Sequence, residues 1–230
     1  MCGRKTLTRD IQSIIEELAI DMWNSNDLYP NYNITPSQMA PILIGENNSR
    51  IVKLMQWGLI PQWANEESIG AKMFNARAET ILEKPSFQNL VQQNRCIIIA
   101  DGYYEWKRSS NSSQPYYIYH PEYKLLPMAG LWNTWKSSTN QIIDSYTVIT
   151  TIPQKNIDHI HQRMPVILNP ISIDEWIHCD TVHSNQAIMN LVPYSRPLSF
   201  HSVSTLVNSP KNNSPDCIRS TEDTSTLGLF

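Results

Sequence analysis

No stretch of this 230-residue chain is apolar for long enough to span a bilayer, and no apolar leader follows the first residue, where polar and charged side chains begin at once. A protein without either signal is expected to stay where it is made: cytoplasmic, and nucleoid-associated if the cell is bacterial. Cysteine is sparse. Cys2, Cys96, Cys179 and Cys217 are scattered with no Cys-x-x-Cys pair, which excludes a zinc ribbon and a disulfide framework and fits free thiols in a reducing cytosol. Excess basic charge is also lacking. With 18 Lys and Arg against 21 Asp and Glu, the net charge is −3. A protein that wraps DNA over much of its surface carries the opposite sign, although a local basic groove remains compatible with that balance. There is no internal repeat and no regular strand–helix alternation, so a doubly wound parallel sheet is not expected.

What is present reads as one globular unit, with 41% apolar and 17% charged residues. "TRDIQSIIEELAI" spaces Ile11, Ile14, Ile15 and Leu18 as a helix, with Thr8 as candidate N-cap. "NYNITPSQMAPILIG" reads as a loop entering a strand, and "RIVKLMQWGLIP" as a second strand stopped at Pro61. "AETILEKPSFQNLVQQ" gives two helical turns broken at Pro85. "RCIIIADGYYEW" gives a buried strand with a turn at Asp101-Gly102. "QPYYIYH", "SYTVITTI" and "MPVIL" are further strands, and "KRSSNSSQ" is a polar hairpin tip. "SIDEWIH" carries a capping box, Ser172 with Glu175. The expected fold class is α+β. One domain covers 1–218, and 219–230 form a polar tail.

Four stretches carry candidate chemistry. In "MCGR", removal of Met1 leaves Cys2 with an α-amine and a thiol on adjacent carbons, a 1,2-aminothiol. Their ordinary pKa values, about 8 and about 8.5, make both partly nucleophilic near neutrality. An aldehyde can become an imine on the amine and then a thiazolidine when the thiol closes the ring. The same residue can serve as an N-terminal nucleophile in hydrolysis, or position two can simply tolerate a small side chain. In "FNARAET", Asn75, Arg77 and Glu79 alternate and would share one face of an extended segment, either as a functional trio or as an exposed edge with a surface ion pair. Glu105, between Tyr104 and Trp106, is either a desolvated acid–base group or an outward residue paired with Lys107. In "HIHQRMPVIL", His159 and His161 straddle Ile160, with Arg163 two residues on. No further ligands stand at fitting spacing for a metal. A proton-carrying histidine beside an anion-binding arginine is the more economical reading.

In the order "MCGR", "YNITPSQ", "WGLIPQW", "NARAET", "RCIIIADGYYEWK", "HQRMPVIL" and "VNSPKNNSPDCI", the chain resembles the SOS response-associated peptidase family, the abasic-site processing proteins, over about residues 1–218. The resemblance implies a single α+β domain with a curved, mainly antiparallel, barrel-like sheet, flanking helices and a basic groove for single-stranded DNA. It implies that Cys2 attacks the open-chain aldehyde of an abasic site to give a covalent thiazolidine protein–DNA linkage that protects the site during the DNA damage response. By motif, Cys2 is the nucleophile, Asn75 holds its amine or the sugar, and Glu105 and His161 handle protons. Arg77 and Arg163 grip phosphates, with Arg4 a further candidate, and Trp63 stacks on a base. Two departures stand out: Thr35 where many members carry alanine, and Ala64 after Trp63 where some carry a second aromatic. The family's peptidase label refers to removal of residues before the cysteine. Here that is Met1, which a methionine aminopeptidase can remove, so self-cleavage is not required.

The expected activity is lyase-like DNA chemistry with no cofactor and no metal. The expected partner is single-stranded DNA containing abasic sites, without a membrane, and the chain is expected to be a monomer. Two other classes remain open at this point: an N-terminal cysteine hydrolase acting on protein, and a noncovalent reader of single strands or modified bases.

Overall fold

A computed structural model describes residues 2–23 and 29–222. The chain forms β1 (Lys5–Leu7), α1 (Ile11–Leu18), β2 (Met22–Trp23), β3 (Asn31–Ile34), β4 (Met39–Glu46), β5 (Ser49–Trp57), β6 (Asn75–Arg77), α2 (Gln88–Gln93), β7 (Arg95–Ile98), β8 (Gly102–Arg108), β9 (Ser113–Tyr119), β10 (Met128–Lys136), β11 (Ile142–Thr151), β12 (Met164–Pro165), α3 (Ile173–Ile177), α4 (Ser184–Ala187) and β13 (Ser199–Ser202). None of the described helices is long and apolar enough to cross a membrane.

These strands make two sheets, one ordered β13-β9-β8-β1-β3 and the other β12-β11-β10-β7-β4-β5-β2. In the second, β5 also pairs with β11 in parallel, Gln56 beside Ser145 and Trp57 beside Tyr146. That contact joins β11, β10, β7, β4 and β5 into a closed five-stranded barrel with no open edge between its first and last strands. β6 then continues along β11 in parallel, with Asn75 beside Val148 and Arg77 beside Thr150. The α+β class and the barrel-like sheet expected from the sequence are what the structure shows.

The "CIIIA" run becomes intelligible here. Cys96, Ile97, Ile98, Ile99 and Ala100 are all fully buried. β7 runs between two barrel strands and is covered by α3, whose Trp176 Nε1 donates to Cys96 O at 2.9 Å. A strand covered on both sides loses the polar alternation of a surface strand. Asp101-Gly102 then carries the chain from the barrel into the other sheet. A Cβ on Gly102 would lie 2.3 Å from the Tyr117 hydroxyl, so only glycine lets β8 approach β9 there.

Local details differ from the sequence reading in four places. Thr8 does not cap α1; Asp10 does, accepting from Ser13 N at 2.9 Å. Thr8 is instead held by Asp101, which accepts from its hydroxyl at 2.8 Å. The Ser172–Glu175 capping box does not form either. A 3-10 turn over Pro170–Ser172 runs straight into α3, so Ser172 already has helical backbone, and Glu175 accepts from Gln186 and from Asn190 instead. "MPVIL" pairs as a strand only at Met164–Pro165, with a single bridge from Ile167 to Met128 beyond it. Of the expected tail, Ser220 bridges Val203 and Thr221 bonds Ser202, while 223–230 lie outside the described residues, as does Met1.

The end of β5 needs a glycine for a second reason. Gly58 has φ of +121°, and a Cβ there would sit 2.5 Å from Gly70 O. Gly58→Ala therefore combines backbone strain with a backbone clash, and a loss of about 2 kcal/mol or more is expected in urea denaturation. A loss below about 0.5 kcal/mol would mean that the barrel seam does not depend on this close approach.

Candidate active site

Cys2 is fully buried beneath the end of the barrel. Two features fix it. Asn75 Nδ2 donates to Cys2 O at 2.8 Å, and the Cys2 thiol reaches Arg4 O at 3.8 Å. Asn75 can do this because β6 lies along β11, held also by Trp57 Nε1 and Val148 N, both donating to Phe74 O. The Asn75 Oδ1 atom is buried with no hydrogen-bond partner among the described residues. It is a fixed acceptor awaiting a donor in the site. Burial, reinforced by the charge of Glu105, pushes the Cys2 thiol up to about 12.

Glu105 comes from β8 and is only 2% exposed, whereas Lys107 is exposed, so the outward ion pair with Lys107 is not formed. Burial raises the Glu105 carboxyl to about 7. Its Oε1 lies 3.7 Å from His161 Nδ1. Burial lowers His161. Both shifts disfavour the ionised pair, so near neutrality a substantial share of Glu105 keeps its proton beside a neutral imidazole. His161 Nδ1 lies 3.0 Å from Arg163 N, which donates to it, and 3.2 Å from Arg163 O, so the Arg163 backbone anchors the ring through this nitrogen. A protonated carboxyl beside a neutral imidazole is a matched acid and base.

Beside this pair opens a cleft of about 610 Å³ lined by Arg77, Trp106, Arg108, His159, His161 and Arg163. Arg77 and Arg108 are exposed, and neither guanidinium makes a hydrogen bond or ion pair with a described residue. Arg108 was not singled out in the sequence. The available signal was its position two residues after Trp106 on one strand, which puts both on one face. His159 is exposed and meets Phe200 edge-on at 5.3 Å.

The other expected contacts are placed differently. Arg163 makes a two-pronged clasp with Glu79, Nη1 to Oε1 at 2.7 Å and Nη2 to Oε2 at 2.9 Å, and also donates to Thr150. That clasp lowers the Glu79 carboxyl. Glu79 has left the strand for a 3-10 turn over Ala78–Thr80, so the Asn75–Arg77–Glu79 trio does not share one extended face. Arg4 donates to Asn33 Oδ1 at 2.7 Å, to Val207 O, and to Asn208 O at 3.1 Å, with its guanidinium 5.9 Å from the Trp106 ring. Asn33 Nδ2 in turn donates to the carbonyls of Ser209 and Asn212. The "VNSPKNN" segment is therefore the wall against which Arg4 and Trp106 are set. Trp63, 60% exposed, lines a separate concavity of about 560 Å³ with Ile69 and Lys72. Among the described residues no group of three or more His, Cys, Asp or Glu could hold a metal ion.

The family model described as SOS response associated peptidase matches residues 1–210. The abasic site processing protein YoqW of Bacillus subtilis (strain 168) is 41% identical over 223 residues, covering 96% of this chain and 100% of that protein. The abasic site processing protein HMCES of Xenopus tropicalis is 34% identical, covering 85% of this chain and 67% of that protein. A crystal structure of a protein from Bacteroides thetaiotaomicron superposes with a TM-score of 0.85 at 25% identity, over 96% of this chain and 100% of that one.

The raised carboxyl makes a pH prediction. Folded protein keeps the Glu105 proton up to about pH 7, while the unfolded chain releases it near pH 4.3, roughly the ordinary glutamate value. The stability this group contributes is full below the unfolded value and lost as pH rises through the folded one. Glu105→Gln should thus match wild type near pH 4.5 and exceed it by on the order of 1–3 kcal/mol near pH 8.5, read by urea denaturation at the two pH values. Equal offsets at both would mean that Glu105 is not held protonated.

Proposed function

This chain belongs to the SOS response associated peptidase family, and on that premise we propose that it captures abasic sites in single-stranded DNA as a covalent thiazolidine on Cys2. The observation that carries this reading is the meeting of three groups at one end of the barrel: Cys2 with its carbonyl held by Asn75, and the Glu105–His161 pair at 3.7 Å. The names of the relatives, abasic site processing proteins, support the substrate class.

The chemistry follows from these positions. With Met1 removed, the Cys2 amine is free. The closed abasic sugar must open, which needs a proton delivered to its ring oxygen and one taken from its C1′ hydroxyl. Protonated Glu105 suits the first task and neutral His161 the second. The amine then bonds to C1′ and water leaves, giving an imine. Asn75 Oδ1, a buried acceptor with no partner among the described residues, suits an N–H of that amine. The Cys2 sulfur bonds to the same carbon, the C=N pair becomes a nitrogen lone pair, and the thiol proton ends on that nitrogen. Because Cys2 is buried, a sugar must leave the base stack to reach it, which suits a single strand better than a duplex. Arg77 and Arg108 line the approach and suit backbone phosphates, and Trp106 offers an aromatic surface between them.

Three measurements test the reading. Protein lacking Met1, mixed with a single-stranded oligonucleotide carrying one abasic site and then denatured, should give a shifted covalent band. Cys2→Ala and an uncleaved N-terminal extension should both abolish it. A band from the extended protein would exclude the aminothiol, and turnover of amides without a band would favour a cysteine hydrolase. Glu105→Gln and His161→Ala should slow single-turnover crosslinking by roughly 10²–10⁴ while leaving noncovalent binding nearly intact, with His159→Ala as the silent control. Arg77→Ala and Arg108→Ala should each weaken binding and flatten the salt slope by about 0.7, the value for one single-strand phosphate contact. Arg163→Ala should in addition lower stability, because it releases Glu79 and Thr150.

A further inference from the structure

Lys5 is a nucleophilic amine that the chemistry above leaves unused. It is fully buried in β1, opposite Tyr103 of β8. Leu7, two residues on and on the same side of the strand, belongs with Cys2, Tyr103 and Tyr146 to the main core, whereas Thr6 meets Tyr117 on the other side. β1 therefore turns Lys5 into the interior that holds Cys2. Lys5 Nζ makes one hydrogen bond, to Ile99 O at 3.0 Å, although an ammonium has three donors. No carboxylate is within ion-pair distance of it among the described residues. Asp101, the acid whose charge reaches it, is already engaged by Thr6 and Thr8. The same interior contains two more incomplete groups, the Tyr103 and Tyr146 hydroxyls, each buried with no hydrogen-bond partner among the described residues.

We propose that Lys5 is the buried proton acceptor for the Cys2 thiol. This rests on the aminothiol reading of Cys2. The S–H bond breaks, an N–H bond forms on the lysine amine, and the thiolate that attacks the imine carbon remains paired with the new ammonium. As the C–S bond forms and the imine pair moves to nitrogen, that nitrogen takes the proton back and Lys5 returns to the amine. No direct hydrogen bond joins Lys5 to the sulfur. A relay through the Tyr103 and Tyr146 hydroxyls, which are buried without a partner among the described residues and feel the Cys2 charge, completes the proposed path. Burial lowers Lys5 to about 7, so a substantial share is neutral amine near neutrality. A thiolate raises Lys5 and an ammonium lowers the thiol, so each ionisation favours the other. Glu105 opposes the thiolate, Asp101 supports the ammonium, and both tyrosines are pushed well up by burial and stay neutral. The Cys2 α-amine and His161, which stands beside Glu105, are the remaining titrating groups.

The test is the pH–rate profile of Cys2 alkylation by iodoacetamide, followed by mass spectrometry of the N-terminal peptide, from about pH 5.5 to about pH 10. It is run on protein lacking Met1, in a Glu105→Gln background so that this carboxyl does not titrate. The amine–thiol and ammonium–thiolate forms carry the same number of protons. The rate should therefore rise through about pH 7, where Lys5 gives up its proton, and then level off. In Lys5→Met the plateau should vanish. The rate should climb about tenfold per pH unit and be at least tenfold below that of the parent near pH 7.5. A parent profile that climbs without a plateau overturns the proposal and needs no Lys5 variant to fold. A plateau that persists in folded Lys5→Met assigns the proton to the α-amine or to His161 and also overturns it. Because no DNA is present, failure here is separable from failure of crosslinking, which the abasic-site gel reads alone.

Discussion

The parallel contact between β5 and β11 is the constraint on which the site depends. Trp57 and Tyr146 are register partners whose rings stack at 6.1 Å with planes 9° apart. Their pairing closes the barrel and ends β5 at that point, since Gly58 turns away with its N–H on Tyr146 O. The edge of β11 beyond Tyr146 is then available, and β6 takes it. That step carries Asn75 to Cys2 and Arg77 to the rim of the cleft, and it leaves Ala76 O to accept from Thr150. On its other side the end of β11 pairs with β12, which immediately follows Arg163 and His161. One strand thus brings together groups from three distant parts of the chain, while β8, in the other sheet, brings Glu105 from the fourth.

Burial then decides where protons sit. In water a glutamate beside a histidine would ionise both. Here low solvation penalises each charged form, so the carboxyl rises, the imidazole falls, and the proton stays on the acid. The same penalty keeps the Cys2 sulfur as a thiol and leaves a substantial share of Lys5 as neutral amine near neutrality.

The arginines divide by the same logic. Arg95, 1% exposed, donates to the carbonyls of Val91, Trp176, His178 and Val182 and lies 5.8 Å from the Trp176 ring. Arg4 and Arg163 are likewise engaged within the protein. Arg77 and Arg108 share the cleft with Arg163, but no side-chain partner among the described residues engages them. A chain with net charge −3 can therefore present a small basic surface, suited to a few phosphates rather than to wrapping a duplex.

Much of the fold was legible because local chemistry decided it. The apolar run at 97–100, the Asp101-Gly102 turn, the polar hairpin tip between β8 and β9 and the spacing of Ile14 and Leu18 all specify their own conformation. The reactive types were legible too: a cysteine at position two, a glutamate among aromatics and a histidine before an arginine. What the linear order could not contain was commitment. Thr8 looks like a helix cap until Asp101, 93 residues away, holds it; Ser172 and Glu175 look like a capping box until a preceding 3-10 turn and two amides engage them. Arg163 clasps Glu79 from 84 residues away, and Lys5 lies in the core opposite Tyr103. The sequence by itself determined which groups exist and which segments are strands. Which polar group is still available for chemistry was decided only by tertiary structure, because each donor or acceptor binds whatever long-range neighbour the closed barrel and its companion sheet bring within about 3 Å.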